Sequence, residues 1–108
     1  MAPTGRPLPV RISGAAQIDL DVTFAYVSER NRSAALDLLG RLRTGIERLG
    51  DFPESGSVLP QEDFAFIPQG TRFAVVEPYL VFYRVTADAV IVLRVLHARQ
   101  DSLGELFE

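Results

Sequence analysis

The chain has 108 residues, which suits one domain with a modest core. It has no cysteine, and all 11 of its basic residues are arginine, so disulfides, thiolate chemistry, Schiff-base lysines and a phosphate-loop lysine are excluded. The formal net charge of −3 argues against a general affinity for nucleic acid, which calls for a basic surface.

The first residues, MAPTGRPLPVRIS, have three prolines and no long apolar run, so they do not read as a secretory signal. No later run is long enough to span a membrane. Residues 8–13, LPVRIS, alternate well enough for a short strand. From Gly14 the period changes. Ala16, Leu20, Phe24 and Val27 recur at helical spacing, and Ile18, Val22 and Ala25 widen that stripe, which predicts a helix over 14–30. Asn31–Arg32 breaks it, and Ser33 is placed to cap a second helix. Ala35, Leu39, Leu42, Ile46 and Leu49 then follow at steps of four and three. Arg41, Arg43, Glu47 and Arg48 fill the other positions and read as a solvated face. Gly50 suits the C′ position, and Pro53 blocks continuation. So short a connection makes the two helices an antiparallel hairpin.

Residues 51–70 read as a loop in which Phe64, Phe66 and Ile67 are candidates to pin it to the core. Three strands rich in β-branched and aromatic residues follow: RFAVV (72–76), YLVFYRV (79–85) and AVIVLRVLH (89–97). The fold class is α+β: a strand, an antiparallel helical hairpin, then a three-stranded antiparallel meander. The whole chain, 1–108, reads as a single domain with 1–7 and 102–108 as flexible tails.

A helical hairpin covers one face of a sheet, yet both faces of these strands are apolar. In 79–85 one set is Tyr79, Val81, Tyr83 and Val85, and the other is Leu80, Phe82 and Arg84. In 89–97 the sets are Val90, Val92, Arg94, Leu96 and Ile91, Leu93, Val95, His97. Turn register decides which sets share a face. Either the 51–70 loop folds over the second face or a partner segment covers it.

GTR at 70–72, VFYRV at 81–85 and LRVLHARQD at 93–101 resemble the ParE branch of the RelE/ParE toxins of bacterial toxin–antitoxin pairs. AQIDLDVTFAYV (16–27) resembles the first helix of that family, and LGDFPESG (49–56) its leucine, proline and glycine after the second helix. The resemblance covers about residues 10–101. It implies a RelE/ParE-like toxin domain in the cytoplasm and a ParD-like, ribbon-helix-helix antitoxin whose C-terminal segment wraps the toxin in a hetero-oligomer. RelE-type members cleave messenger RNA on the ribosome with clustered lysines and arginines and a late tyrosine. Here the lysine strand reads Phe73, Ala74, Val75 and Val76, Leu80 stands where that branch has an arginine, and the tail SLGELFE has no tyrosine. ParE-type members act instead by binding and poisoning DNA gyrase. The resemblance therefore implies no catalytic residue, no metal, no cofactor and no sequence-specific nucleic-acid binding by this chain alone. A RelE-type endoribonuclease and a non-toxic antitoxin-binding module stand as alternatives.

The candidate antitoxin contacts are Tyr79, Val81, Tyr83, Arg84 and Arg94, since arginine favours interface ion pairs. The plainer reading of Arg84 and Arg94 is a carboxylate partner within the chain. The candidate target contacts are Arg72, His97 and Arg99. For these the plainer readings are a fixed loop for Arg72, a hydrogen-bonded structural histidine for His97 and a local pair with Asp101 for Arg99.

Overall fold

The computed structural model describes residues 7–59 and 70–99. In order, the elements are β1 (Val10–Ile12), α1 (Gly14–Arg30), α2 (Arg32–Asp51), β2 (Ser57–Val58), β3 (Arg72–Val76), β4 (Tyr79–Val85) and β5 (Val90–His97).

Side-chain caps mark the hairpin. Ser13 Oγ accepts from the Ala16 amide at the start of α1. Asn31 serves both helices: its amide donates to the Val27 carbonyl, and its side chain accepts from the Ala34 amide at 2.9 Å. Ser33, expected as the cap of α2, lies instead within its first turn, because Asn31, two residues earlier, takes extended backbone and caps the helix. Gly50, expected as the C′ residue, is also helical, since α2 runs on to Asp51. Its missing side chain permits a crossing. The Leu8 amide donates to the Gly50 carbonyl at 2.9 Å, and a Cβ on Gly50 would stand 2.5 Å from the Leu8 carbonyl oxygen.

The sheet order is β1-β5-β4-β3-β2. The expected antiparallel meander, β3-β4-β5, forms its centre. Two edges complete it. β2 pairs antiparallel with β3 and comes from the stretch read as loop; β1 pairs parallel with β5, so the sheet is mixed. The expected loop pins Phe64, Phe66 and Ile67 lie outside the described residues, as do the expected tails except for Pro7.

Register settles which side chains lie under the helices. Tyr79, Val81 and Tyr83 of β4 are buried with Leu38, Leu42, Ile46 and Leu49 of α2 and Ala16 and Leu20 of α1. On β5, Val90 and Val92 stand beside Val85 and Tyr83. Leu93 is then skipped, and Val95 and His97 stand beside Val81 and Tyr79. This one-residue bulge reverses the alternation, so each alternate set read from the sequence holds for only half of β5. Val81, Val90 and Val92 are fully buried, each contributing roughly 1.5–3 kcal/mol through lost apolar surface.

The opposite sheet face carries Phe73, Leu80, Phe82, Arg84, Ile91 and Leu96. Phe82 and Leu96 are buried there, at 3% and 4% exposure, and the Phe73 and Phe82 rings lie 6.3 Å apart. Leu80 and Ile91 are half-buried. That face is therefore less bare than the sequence led one to expect.

Candidate partner-binding site

β1 ends at Ile12, three residues into β5, and would leave the rest of that edge open. The start of α1 closes it. The Ser13 amide donates to the Val92 carbonyl, and Ser13 Oγ donates to the Leu93 carbonyl, both at 3.0 Å. Asp19 Oδ2 accepts from the Val95 amide at 2.9 Å. The same carboxylate takes two donors from Arg94, Nε to Oδ2 and Nη2 to Oδ1, both at 2.8 Å. The groups loosened by the bulge are thus satisfied by two side chains of the α1 region. The Arg94 side chain is 23% exposed and that of Asp19 only 11%. The hydrogen bond to Asp19 raises the Arg94 guanidinium above its ordinary value against the opposing effect of burial. Arg94, a candidate antitoxin contact, therefore follows the plainer reading and takes its carboxylate from within the chain.

Arg72 and Tyr83 hold the segment after α2. Tyr83 Oη donates to the Pro53 carbonyl at 2.9 Å and accepts from the Gly56 amide at 2.8 Å. Arg72 Nη1 donates to the carbonyls of Gly56 and Glu54 at 2.8 and 3.2 Å, and Nη2 lies 3.8 Å from the Glu54 carboxylate. The Gly56 position has no room for a side chain, since a Cβ would stand 2.5 Å from Tyr83 Oη. Arg72 thus fixes a loop.

His97 and Arg99 adjoin one another at the far end of the sheet. His97 Nδ1 accepts from the Arg99 amide at 3.0 Å, and its ring meets Tyr79 edge-on, with centroids 5.2 Å apart. Arg99 itself is exposed. Arg72 pairs with Tyr83 and His97 with Tyr79, on opposite sides of β4. That places Arg72 roughly 16 Å from His97 by strand rise and spacing. The three candidate target contacts do not converge.

Among the candidate antitoxin contacts, Tyr79, Val81 and Tyr83 are corrected by burial: they lie under the helices, Val81 and Tyr83 at 0% exposure, and present no surface to a partner. Arg84 differs. It is exposed on the opposite face and stands directly across from Ile91. Arg11 of β1 stands across from the same Ile91 on its other side. Directly paired residues share a sheet face, so Arg11, Ile91 and Arg84 form one row with a cation at each end. The two arginine Cα atoms lie roughly 10 Å apart by strand spacing. Neither makes an ion pair among the described residues. Arg11 was not singled out from the sequence, because only the parallel β1–β5 pairing brings it to this row. Arg41, read as part of a solvated face, donates to the Glu77 carbonyl.

No helix among the described residues is long and apolar enough to cross a membrane. The fold is thus a mixed sheet under a helical hairpin, with the exposed cations Arg11 and Arg84 on the face turned away from the helices. Residues 10–102 match the model of the ParE toxin of the type II toxin–antitoxin system parDE, and the chain belongs to that family. It is 33% identical over 89 residues to Toxin ParE3 of Caulobacter vibrioides, which covers 82% of this chain and 84% of that relative. The fold is similar to a chain of the chromosomal ParDE system from P. aeruginosa, with a TM-score of 0.68 and 22% identity over 86% of this chain and 98% of that one. It is also similar to a chain of the RelBE2 toxin–antitoxin complex from Mycobacterium tuberculosis, with a TM-score of 0.55 and 23% identity over 88% and 95%.

Proposed function

We propose that this ParE-family toxin acts in the cytoplasm by binding and poisoning DNA gyrase, not by catalysis of its own, and that a ParD-like antitoxin neutralises it. The observation that carries the binding reading is the dispersal of its polar groups. Arg72 is engaged with the 54–56 backbone, Arg94 with Asp19, and His97 with the Arg99 amide. A ribonuclease needs a base, charge-stabilising donors and an acid around one reacting phosphate. The exposed row of Arg11, Ile91 and Arg84 offers the antitoxin two cations beside an apolar centre, which suits an acidic amphipathic segment. Arg99 is the exposed cation at the other end of β5 and the candidate for target contact. The test is a purified gyrase assay with and without the chain. Stabilised gyrase–DNA cleavage complexes that vanish on adding the antitoxin are expected. Unchanged supercoiling and no cleavage complexes at saturating toxin refute the reading.

A further inference from the structure

The core accounts for one face of α1 and leaves another unexplained. Ile18, Val22 and Tyr26 follow at steps of four on the side turned away from the sheet. They are 62%, 62% and 58% exposed, although the sequence pattern placed Ile18 and Val22 in a widened core stripe. A helix that is apolar on both faces is normally buried on both. A contiguous exposed apolar row is the mark of an interface.

We propose that this row is a self-association surface and that its occupant is α1 of a second copy of this chain, packed antiparallel about a two-fold axis at Val22. The row is its own complement. Antiparallel pairing about Val22 sets Ile18 of each copy against Tyr26 of the other and Val22 against Val22. A two-fold interface requires a self-complementary patch of this kind. Small exposed residues flank the row at Ala15 and Ala25, and nothing lies within 4 Å of a Cβ built on Gly14, so a second helix can approach closely. Arg30 lies over the Tyr26 ring at 4.1 Å and donates to the Tyr26 carbonyl, which holds the largest side chain of the row in place.

Charge favours the same pairing. The first turn of α1 has no acidic residue of its own. Antiparallel packing brings Glu29 of each copy toward the α1 N-terminus of the other, where the helix dipole favours an anion. An interface built on one helix row falls below the ~1,200 Å² of a standard complex. The dimer is therefore weak and reversible. It goes beyond the toxin reading and does not depend on it.

Sedimentation of the full chain over a broad concentration range tests this. The expected result is a concentration-dependent rise toward twice the chain mass. Val22→Arg, which sets two like charges on the axis, abolishes that rise and leaves the melting temperature unchanged, because Val22 is exposed. A second variant keeps the test decisive. Helices packed ~8–10 Å apart bring the two axial Cα atoms within reach of a disulfide. The chain has no cysteine, so Val22→Cys is expected to form a covalent dimer on mild oxidation, whereas Asp37→Cys on the outer face of α2 does not. A monomer at every concentration overturns the proposal. So does a dimer indifferent to Val22→Arg, or equal cross-linking by the two cysteine variants. It is likewise overturned if Val22→Arg weakens antitoxin binding while the native chain stays monomeric, which assigns the row to the antitoxin.

Discussion

The Asp19 carboxylate accepts both donors of the Arg94 fork at 2.8 Å and the Val95 amide at 2.9 Å, so one side chain of α1 fixes the course of β5 beyond its bulge. Asp19→Ala is expected to destabilise the chain by ~2–4 kcal/mol, since it removes two charged acceptors from a half-buried guanidinium and the acceptor of a strand amide. Asp19→Asn keeps an acceptor for Val95 and is expected to cost less. Denaturant titration measures both. A loss under 1 kcal/mol for the alanine variant, well below the roughly 3 kcal/mol at which breaking a buried pair begins, would show that the pair does not organise this edge.

Much of the helical hairpin was legible because its signals are local. Spacing of the apolar residues placed α1 over 14–30, and the strand bounds of β3 and β4 agree with the sequence reading. What was not legible depends on contacts far apart in the chain. The bulge at Leu93 reverses parity, and no rule of alternation announces it. The parallel pairing of β1 with β5 joins residues about 80 positions apart and brings Arg11 to Ile91. The apolar residues on the outer face of α1 resemble core residues in type, so the pattern enlarged the core stripe. Arg94 and Arg84 look alike in sequence, but Arg94 is engaged by Asp19 while Arg84 is exposed.

Tyr83→Phe isolates the latch on the segment after α2. The hydroxyl is buried, accepts from Gly56 and donates to Pro53. Its loss is expected to cost ~1–2 kcal/mol, with the Gly56 amide left short of its acceptor. Hydrogen exchange should speed up at Gly56 and Ser57 and stay unchanged in α1. Uniform acceleration across the chain would mean that Tyr83 contributes only to the general core.

Charge reversal tests the arginine row. Arg11→Glu and Arg84→Glu are both at exposed positions and are expected to leave the melting temperature nearly unchanged. Each is expected to weaken antitoxin binding about tenfold and to flatten its salt dependence, as removal of steering charges does. Calorimetric titration at two salt concentrations measures this. Native affinity in the double variant would place the antitoxin elsewhere.

His97→Ala is expected to remove the edge contact with Tyr79 and the acceptor for the Arg99 amide. The cost is ~1–2 kcal/mol from one hydrogen bond and one aromatic contact. Growth inhibition should fall only as far as folded protein falls. A variant with native stability and native antitoxin binding but no toxicity would make His97 a functional group.

The last expectation is that the chain does not cleave RNA, on or off the ribosome. Enzymatic rate enhancement requires at least ~8 kcal/mol of barrier lowering. A single preorganised donor to developing charge supplies ~3 kcal/mol when it is well placed. The cationic groups must therefore gather around one phosphate. In this fold Arg72 stands on β3 facing the 54–56 backbone, and His97 stands across β4 at the other end of the strand. Arg94 is held by Asp19, and Leu80 is apolar at the position where the sequence resemblance implies an arginine in RelE-type ribonucleases. His97 and Arg99 alone remain adjacent, and the His97 ring nitrogen Nδ1 is already an acceptor for the Arg99 amide. A translating extract with one defined message, followed by mapping of 5′ ends, is the measurement. Intact message at saturating toxin is expected. Cuts at fixed codon positions that appear with native chain and disappear with Arg99→Ala would establish a ribonuclease centred on the end of β5.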